Sequence, residues 1–228
     1  MTHDSDRQQV YQRLLDAYGA QGWWPASTDF ELLVGAILVQ NTRWENVELA
    51  IQNLARVGLL KPEALLRAPF DLISECIRPA GFHRIKTQRV KALTEWFEGN
   101  HQRLMGLDRS ALRRDLLAQV GIGPETADVL CMYLYRQSAV IADSYTRRIC
   151  FRLGWLDAPA EISYARAAAQ LNWMLDWPPV ELSEFHALLV AHAKARCRKR
   201  PRCSECVLRG TCRFGLVSAS GCLSDSPG

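Results

Sequence analysis

Nothing in this 228-residue chain is long and apolar enough to span a bilayer, and the opening Met1-Thr2-His3-Asp4-Ser5-Asp6 lacks the hydrophobic region of a secretory signal. On those readings the expected address is cytoplasmic. No segment alternates as a strand would, no repeat recurs, and low complexity is confined to the tail after Leu216. Net charge is small, at +4. A single compact unit or two small lobes suits this length, with enough residues to bury a core.

What is present begins with eight cysteines. A reducing compartment argues against disulfides, so they read as metal ligands plus buried thiols. Cys76, Cys131 and Cys150 lie in apolar helical stretches and are expected in the core; Cys222 sits in the polar tail. Cys197, Cys203, Cys206 and Cys212 form a C-x5-C-x2-C-x5-C series. Four thiolates so close in sequence can wrap one tetrahedral zinc or one cubane cluster, and spacing alone leaves both open. The charge is concentrated here too. Residues 194–213 hold eight basic side chains, among them Arg198, Lys199, Arg200 and Arg202, against Glu205 alone, leaving the rest of the chain near −3. A basic segment on an otherwise acidic protein points to a polyanion.

Helical spacing predicts an all-α protein. Helices are expected at 7–18, at 30–40 behind an Asp29 cap, at 44–57, at 62–67 and 69–76 behind prolines, at 85–97, and at 144–153, 163–175 and 182–195. The helix Phe30 to Gln40 is apolar almost all round and belongs in the centre of the core. Around Gly121-Ile122-Gly123-Pro124-Glu125 two further helices are joined by a short hairpin. Its glycines permit positive φ, and amides at the following helix start can receive a phosphate, although a plain connector has the same pattern. Asp143 follows an apolar run and precedes a helix, which suits an N-cap.

A hairpin, an aspartate twenty residues past Gly123 and a C-terminal cysteine series, in that order, resemble the endonuclease III superfamily of helix-hairpin-helix DNA glycosylases. The likeness covers residues 5 to 215. It implies a two-lobe fold, with a six-helix bundle at 28–137, an iron-sulfur lobe from 1–27 and 138–216, and a flexible tail at 217–228. It implies a [4Fe–4S] cluster on Cys197, Cys203, Cys206 and Cys212 rather than zinc, with a first loop one residue shorter than the common spacing. It implies that Asp143 faces a nucleotide flipped from the duplex into the cleft between lobes, stabilising an oxocarbenium-like sugar and orienting water. Bifunctional members carry a lysine where this chain has Glu125, and a glutamate cannot form their Schiff base, so no strand cleavage is expected. The adenine-mismatch branch carries a glutamate where this chain has Ala36.

Trp23-Trp24-Pro25, the run Phe30 to Trp44 and Gly121 to Asp128 are similar to the 3-methyladenine DNA glycosylase III subgroup. That subgroup lacks the cysteines and has a lysine in place of Pro124. The similarity implies a base pocket of Trp23, Trp24 and Trp44, with Glu125 nearby; aromatic faces suit a cationic alkylated purine, already a good leaving group. Gln40 is expected to fill the gap in the duplex or touch the opposite strand, His83 to act as a wedge, and Lys86, Arg89, Gly121, Gly123 and the basic loop to hold phosphates. The expected activity is monofunctional release of a damaged base from double-stranded DNA by a monomer at a bacterial or archaeal nucleoid. The alternatives are a glycosylase for a mismatched or oxidised base and a non-catalytic lesion-binding module.

Overall fold

The computed structural model describes residues 2–157 and 162–219, and among these every regular element is helical. No described helix is long and apolar enough to cross a membrane. The chain divides into two compact units, one of Trp24–Gln137 and one of the first 23 residues with the chain from Ser138 onward.

In the Trp24–Gln137 unit, helix α2 (Asp29–Leu38) is the core element: Phe30 and every residue from Leu32 to Leu38 are buried. Thr28, not Asp29, caps it, its hydroxyl accepting the Glu31 amide at 3.1 Å. Asp29 stands in the first turn, where its charge still favours the helix dipole. Helices α3 (Trp44–Arg56), α4 (Pro62–Arg67), α5 (Phe70–Cys76) and α6 (His83–Met105) follow, with a 3-10 turn, Arg78–Ala80, before α6. Helix α2 packs on α3 and α6, and α4 and α5 pack on α6. Helix α6 begins earlier and ends later than the expected 85–97. Gly99 does not stop it, because Phe97 and Leu104 both bury on the same helix, each burial contributing ~2 kcal/mol against a glycine cost of ~1 kcal/mol. Helix α7 (Arg109–Leu117), capped by Asp108, leads through the hairpin to α8 (Pro124–Val129), which continues as a π-helical turn, Leu130–Leu134.

The other unit holds α1 (Thr2–Tyr18), α9 (Ser144–Leu153), α10 (Tyr164–Met174), α11 (Pro179–Ala195) and α12 (Arg213–Ala219). Helix α11 packs against α1 and α9, and α9 against α12. Tyr11, Trp177 and Phe185 form the aromatic centre, with ring centroids 5.2–6.1 Å apart. Cys76, Cys131 and Cys150 are buried as expected. Residues 217–219 belong to α12, and the remainder of the expected tail, with Cys222, lies outside the described residues.

Candidate functional site

Asp143 ends a fully buried run, Ala139–Ala142, and caps α9: its Oδ1 accepts the Thr146 amide at 2.7 Å. Its Oδ2 lies 3.7 Å from Nε2 of His186 on α11, an ion-pair distance rather than a hydrogen bond, and the two side chains are 15% and 12% exposed. Burial pushes the carboxyl up, but the His186 ring and charge and the Thr146 amide and hydroxyl together outweigh it and hold the group below its ordinary value. The carboxylate is thus ionised at neutral pH without being open to bulk water. Arg147, in the same turn, is directed elsewhere, donating to the Ala142 carbonyl at 2.8 Å.

The hairpin is held by side chains from three directions within its unit. Gly121 has φ +88°, and a Cβ there would fall 2.5 Å from Cδ of Arg89, so both the turn and the packing need glycine. Arg89 in turn donates to Oε1 of Gln40 at 2.9 Å. Nε2 of Gln40 donates to the Gly121 carbonyl at 3.0 Å and to Thr126 Oγ1 at 3.1 Å. Gln40 is therefore a bracket between α2 and the hairpin, and reaching into a duplex would break these three bonds. Gly123, Pro124 and Glu125 at the tip are exposed, with Glu125 in the first turn of α8.

Lys86, expected at a phosphate, is turned inward. It is 2% exposed, and its Nζ donates to the carbonyls of Leu38 (2.9 Å) and Ala80 (2.8 Å), the last residues of α2 and of the 3-10 turn. His83, the expected wedge, is engaged within its own unit. His83 Nδ1 lies 2.7 Å from Ser74 Oγ, which ties the ring to α5, while Phe82 beside it stands 68% exposed at φ +47°. An exposed phenyl on a left-handed, non-glycine residue is strained and unburied at once, and such positions are kept for use rather than for stability. The only sequence signal was its place next to Gly81.

Trp24 and Trp44 meet edge to face, centroids 5.0 Å apart, and Tyr133 from the π-helical turn joins Trp24 at 5.6 Å. Trp44 Nε1 donates to Glu48 at 2.8 Å, and a Cβ on Gly35 would already touch Trp24 at 3.4 Å. Tyr133 was not foreseen: it reads as one more apolar position in a buried helix. Trp23 is half-buried and closes the first segment of the other unit, where Glu184 accepts the preceding Gln21 and Gly22 amides at 2.6 and 3.3 Å.

Cys197, Cys203, Cys206 and Cys212 line one cavity, whose wall includes Ile149, Leu153 and Leu208. Arg152 donates to Cys197 Sγ at 3.2 Å and to the Arg198 and Lys199 carbonyls at 2.7 and 2.8 Å, and Arg148 donates to the Cys197 carbonyl at 3.0 Å. Both arginines come from α9, so the helix capped by Asp143 also grips the cysteine loop. Arg198, Lys199, Arg200 and Arg202 are exposed on that loop. Among the described residues no three His, Cys, Asp or Glu side chains converge as a single-ion site.

The whole-chain fold is shared with solved proteins. An endonuclease III in non-covalent complex with DNA superposes with a TM-score of 0.77 at 20% identity, over 96% of this chain and all of the other. The 3-methyladenine DNA glycosylase (MagIII) of H. pylori, bound to 1,N6-ethenoadenine, gives a TM-score of 0.66 at 24% identity, covering 84% and 96%. At those identities the likeness concerns the fold, which is that of the helix-hairpin-helix DNA glycosylases.

Sequence narrows this further. Residues 34–174 match the HhH-GPD superfamily base excision DNA repair protein family. The Methanocaldococcus jannaschii protein MJ1434, named as a DNA repair glycosylase, is 39% identical over 209 residues, 89% of this chain and 94% of its own. Endonuclease III of Sulfolobus acidocaldarius is 29% identical over 189 residues, 82% of each. The chain belongs to the HhH-GPD superfamily.

Proposed function

We propose that the chain is a monofunctional DNA N-glycosylase that flips an alkylated purine, of the 3-methyladenine kind, out of duplex DNA and hydrolyses its glycosidic bond. The observation that carries this reading is Asp143, largely shielded from water yet held ionised by His186 and the Thr146 amide. As the C1′–N bond breaks, its electron pair leaves with the base and positive charge develops on the sugar. A water oxygen then bonds C1′ and gives up its proton to the Asp143 carboxylate, which also stabilises the cationic sugar. N-alkylation makes the purine cationic, so the pair is accepted without a strong protein acid. Trp24, Trp44 and Tyr133 offer the aromatic faces such a base stacks on.

Glu125 stands at the hairpin position where a Schiff-base lysine would be needed. Two lysines of this unit are engaged elsewhere: Lys86 as described, and Lys91 on the carbonyls of Leu65, Leu66 and Ala68 at 2.8–3.4 Å. Phosphates of the duplex are assigned to the exposed hairpin tip and to the basic loop of Arg198, Lys199, Arg200 and Arg202, and Phe82 is assigned the wedge in place of His83.

The four cysteines are assigned a [4Fe–4S] cluster. Their sulfurs line one cavity, as thiolates sharing one cluster would, and the spacing of the series resembles that of the iron-sulfur glycosylases. These four cysteines would hold the cluster, in a loop that Arg148 and Arg152 of α9 already grip. Iron and acid-labile sulfide in near-equal amounts, with absorbance at ~400 nm, are expected of the purified protein; stoichiometric zinc in their place overturns the assignment.

The test of activity is a panel of duplexes, each with one alkylated purine, one mismatch or one oxidised base, scored separately for free base and for strand nicking. Free alkylated base from an intact strand is the expected result. A covalent adduct trapped by borohydride would show the lyase chemistry that the absent hairpin lysine excludes, and tight lesion binding with no base released would make the chain a recognition module.

A further inference from the structure

Helix α11 presents an apolar face to α9, with Leu182, Phe185 and Leu189 buried on it. His186 lies among them, between Leu182 and Leu189 at helical spacing, in a small cavity whose wall is otherwise Val140, Ile141, Leu175 and Thr146. A leucine would suit that position better by packing alone, and burying an imidazole among apolar side chains is costly unless its polarity is used. The group it faces is Asp143 Oδ2, at 3.7 Å, while Oδ1 is already committed to the Thr146 amide.

We propose that His186 is a positioning residue for Asp143, the partner that keeps its second carboxylate oxygen aimed for base release. The inference rests on the assignment of Asp143 as the carboxylate of the reaction. It is reached from the division of labour between the two oxygens. The cap fixes one of them in a hydrogen bond that any N-cap aspartate would make. The other is fixed by a ring from a different helix, which a cap does not require.

The other groups around the carboxylate do not take this part. On α9 itself, Cys150 is buried with its thiol pushed well above the ordinary range, by burial first and the Asp143 charge second, so it is neutral. Arg147 donates to the Ala142 carbonyl. From α12, which also packs on α9, the Arg213 side chain lies beside Gly154, at the far end of the helix. His186 is the partner whose removal leaves burial less opposed. By that sign, losing it raises the Asp143 pKa toward its ordinary value, and the carboxylate is then neutralised earlier as pH falls.

The test compares wild type, His186→Gln, Asp143→Asn and, as a packing control in the same cavity, Leu189→Met. Single-turnover release of base from methylated duplex DNA is followed across the acid limb of the pH profile, and DNA affinity is measured in parallel. The expected result for His186→Gln is a ~10-fold slower release at neutral pH, an acid limb displaced to higher pH, and affinity unchanged within ~2-fold. Leu189→Met should leave the limb in place. The carboxyl carbon resonance of Asp143, in protein labelled with 13C-aspartate, should titrate at higher pH in His186→Gln without any DNA present. His186→Asn serves if the longer amide disturbs folding. An unmoved limb and an unmoved resonance in the histidine variants, with Asp143→Asn inactive, would reduce His186 to packing. Full activity in Asp143→Asn would instead remove the assignment of Asp143 on which the inference stands.

Discussion

Asp143 and Lys86 are ionisable groups set in the interior, one in each unit, and their surroundings treat charge in opposite ways. Asp143 is pushed toward neutrality by burial, yet a histidine and a capping amide reverse the effect and its charge survives. Lys86 is also pushed toward neutrality by burial, with the nearby Arg89 adding to the push, and its pKa falls to about 8. Its partners are two carbonyls at the ends of a helix and a turn, which supply dipoles but no countercharge. Burial alone therefore does not mark a reactive ion. What separates the two is whether the push of burial is reversed by a facing side chain and a capping amide, as at Asp143, or left standing beside backbone carbonyls, as at Lys86.

The largest expected effect breaks the comparison at its reactive end. Asp143→Asn keeps a side-chain oxygen able to accept the Thr146 amide, so the cap and the fold should persist while the charge is lost. Base release should fall by ~10³-fold with DNA affinity retained, measured by single-turnover assay and by titration of labelled duplex. A variant that binds and still releases base at the wild-type rate would leave the carboxylate a cap and nothing more.

How far this contrast could be read from residues alone differs between the two ends. Asp143 was legible because a polar residue between an apolar run and a helical pattern has few local uses, and capping is one that also exposes a carboxylate oxygen. The cysteine series, the central helix α2 and the all-helical class were legible for the same kind of reason, since each is written in spacing along a short stretch. Lys86 was not. A lysine in the first turn of an amphipathic helix reads as solvated, and only the arrival of the α2 and 3-10 carbonyls from elsewhere in the unit turns it inward. The bonds of Gln40 were not legible either, as its partners Arg89, Gly121 and Thr126 lie 49 to 86 residues away. His186 is 43 residues past Asp143 on another helix, and Tyr133 meets Trp24 through a π-helical turn that no periodicity announces. Contacts set by tertiary packing leave no local pattern, and it is these that turn a capping aspartate into a candidate reactive group.

A smaller effect sharpens the comparison at its structural end. The ordinary pKa of a lysine, 10.5, is lowered to about 8 at Lys86, so below pH 8 the folded state carries a charged ammonium that the unfolded chain would solvate better. That penalty corresponds to ~3 kcal/mol at neutral pH. As pH rises from about 8 the folded Lys86 loses its proton while the unfolded one keeps it, so stability gains this contribution progressively and has all of it above 10.5. Cysteine thiols titrate in part of the same window, so the wild-type curve alone does not isolate the lysine. The informative quantity is the difference between wild type and Lys86→Met in unfolding free energy, taken from denaturant titrations at each pH. It should move in favour of wild type between pH 8 and 10.5, because only the lysine sheds a proton in the folded state that its unfolded form keeps, and methionine has none to shed. A difference that stays flat across that window would mean the Lys86 charge is held as well as that of Asp143, and the distinction between the two buried groups would be lost.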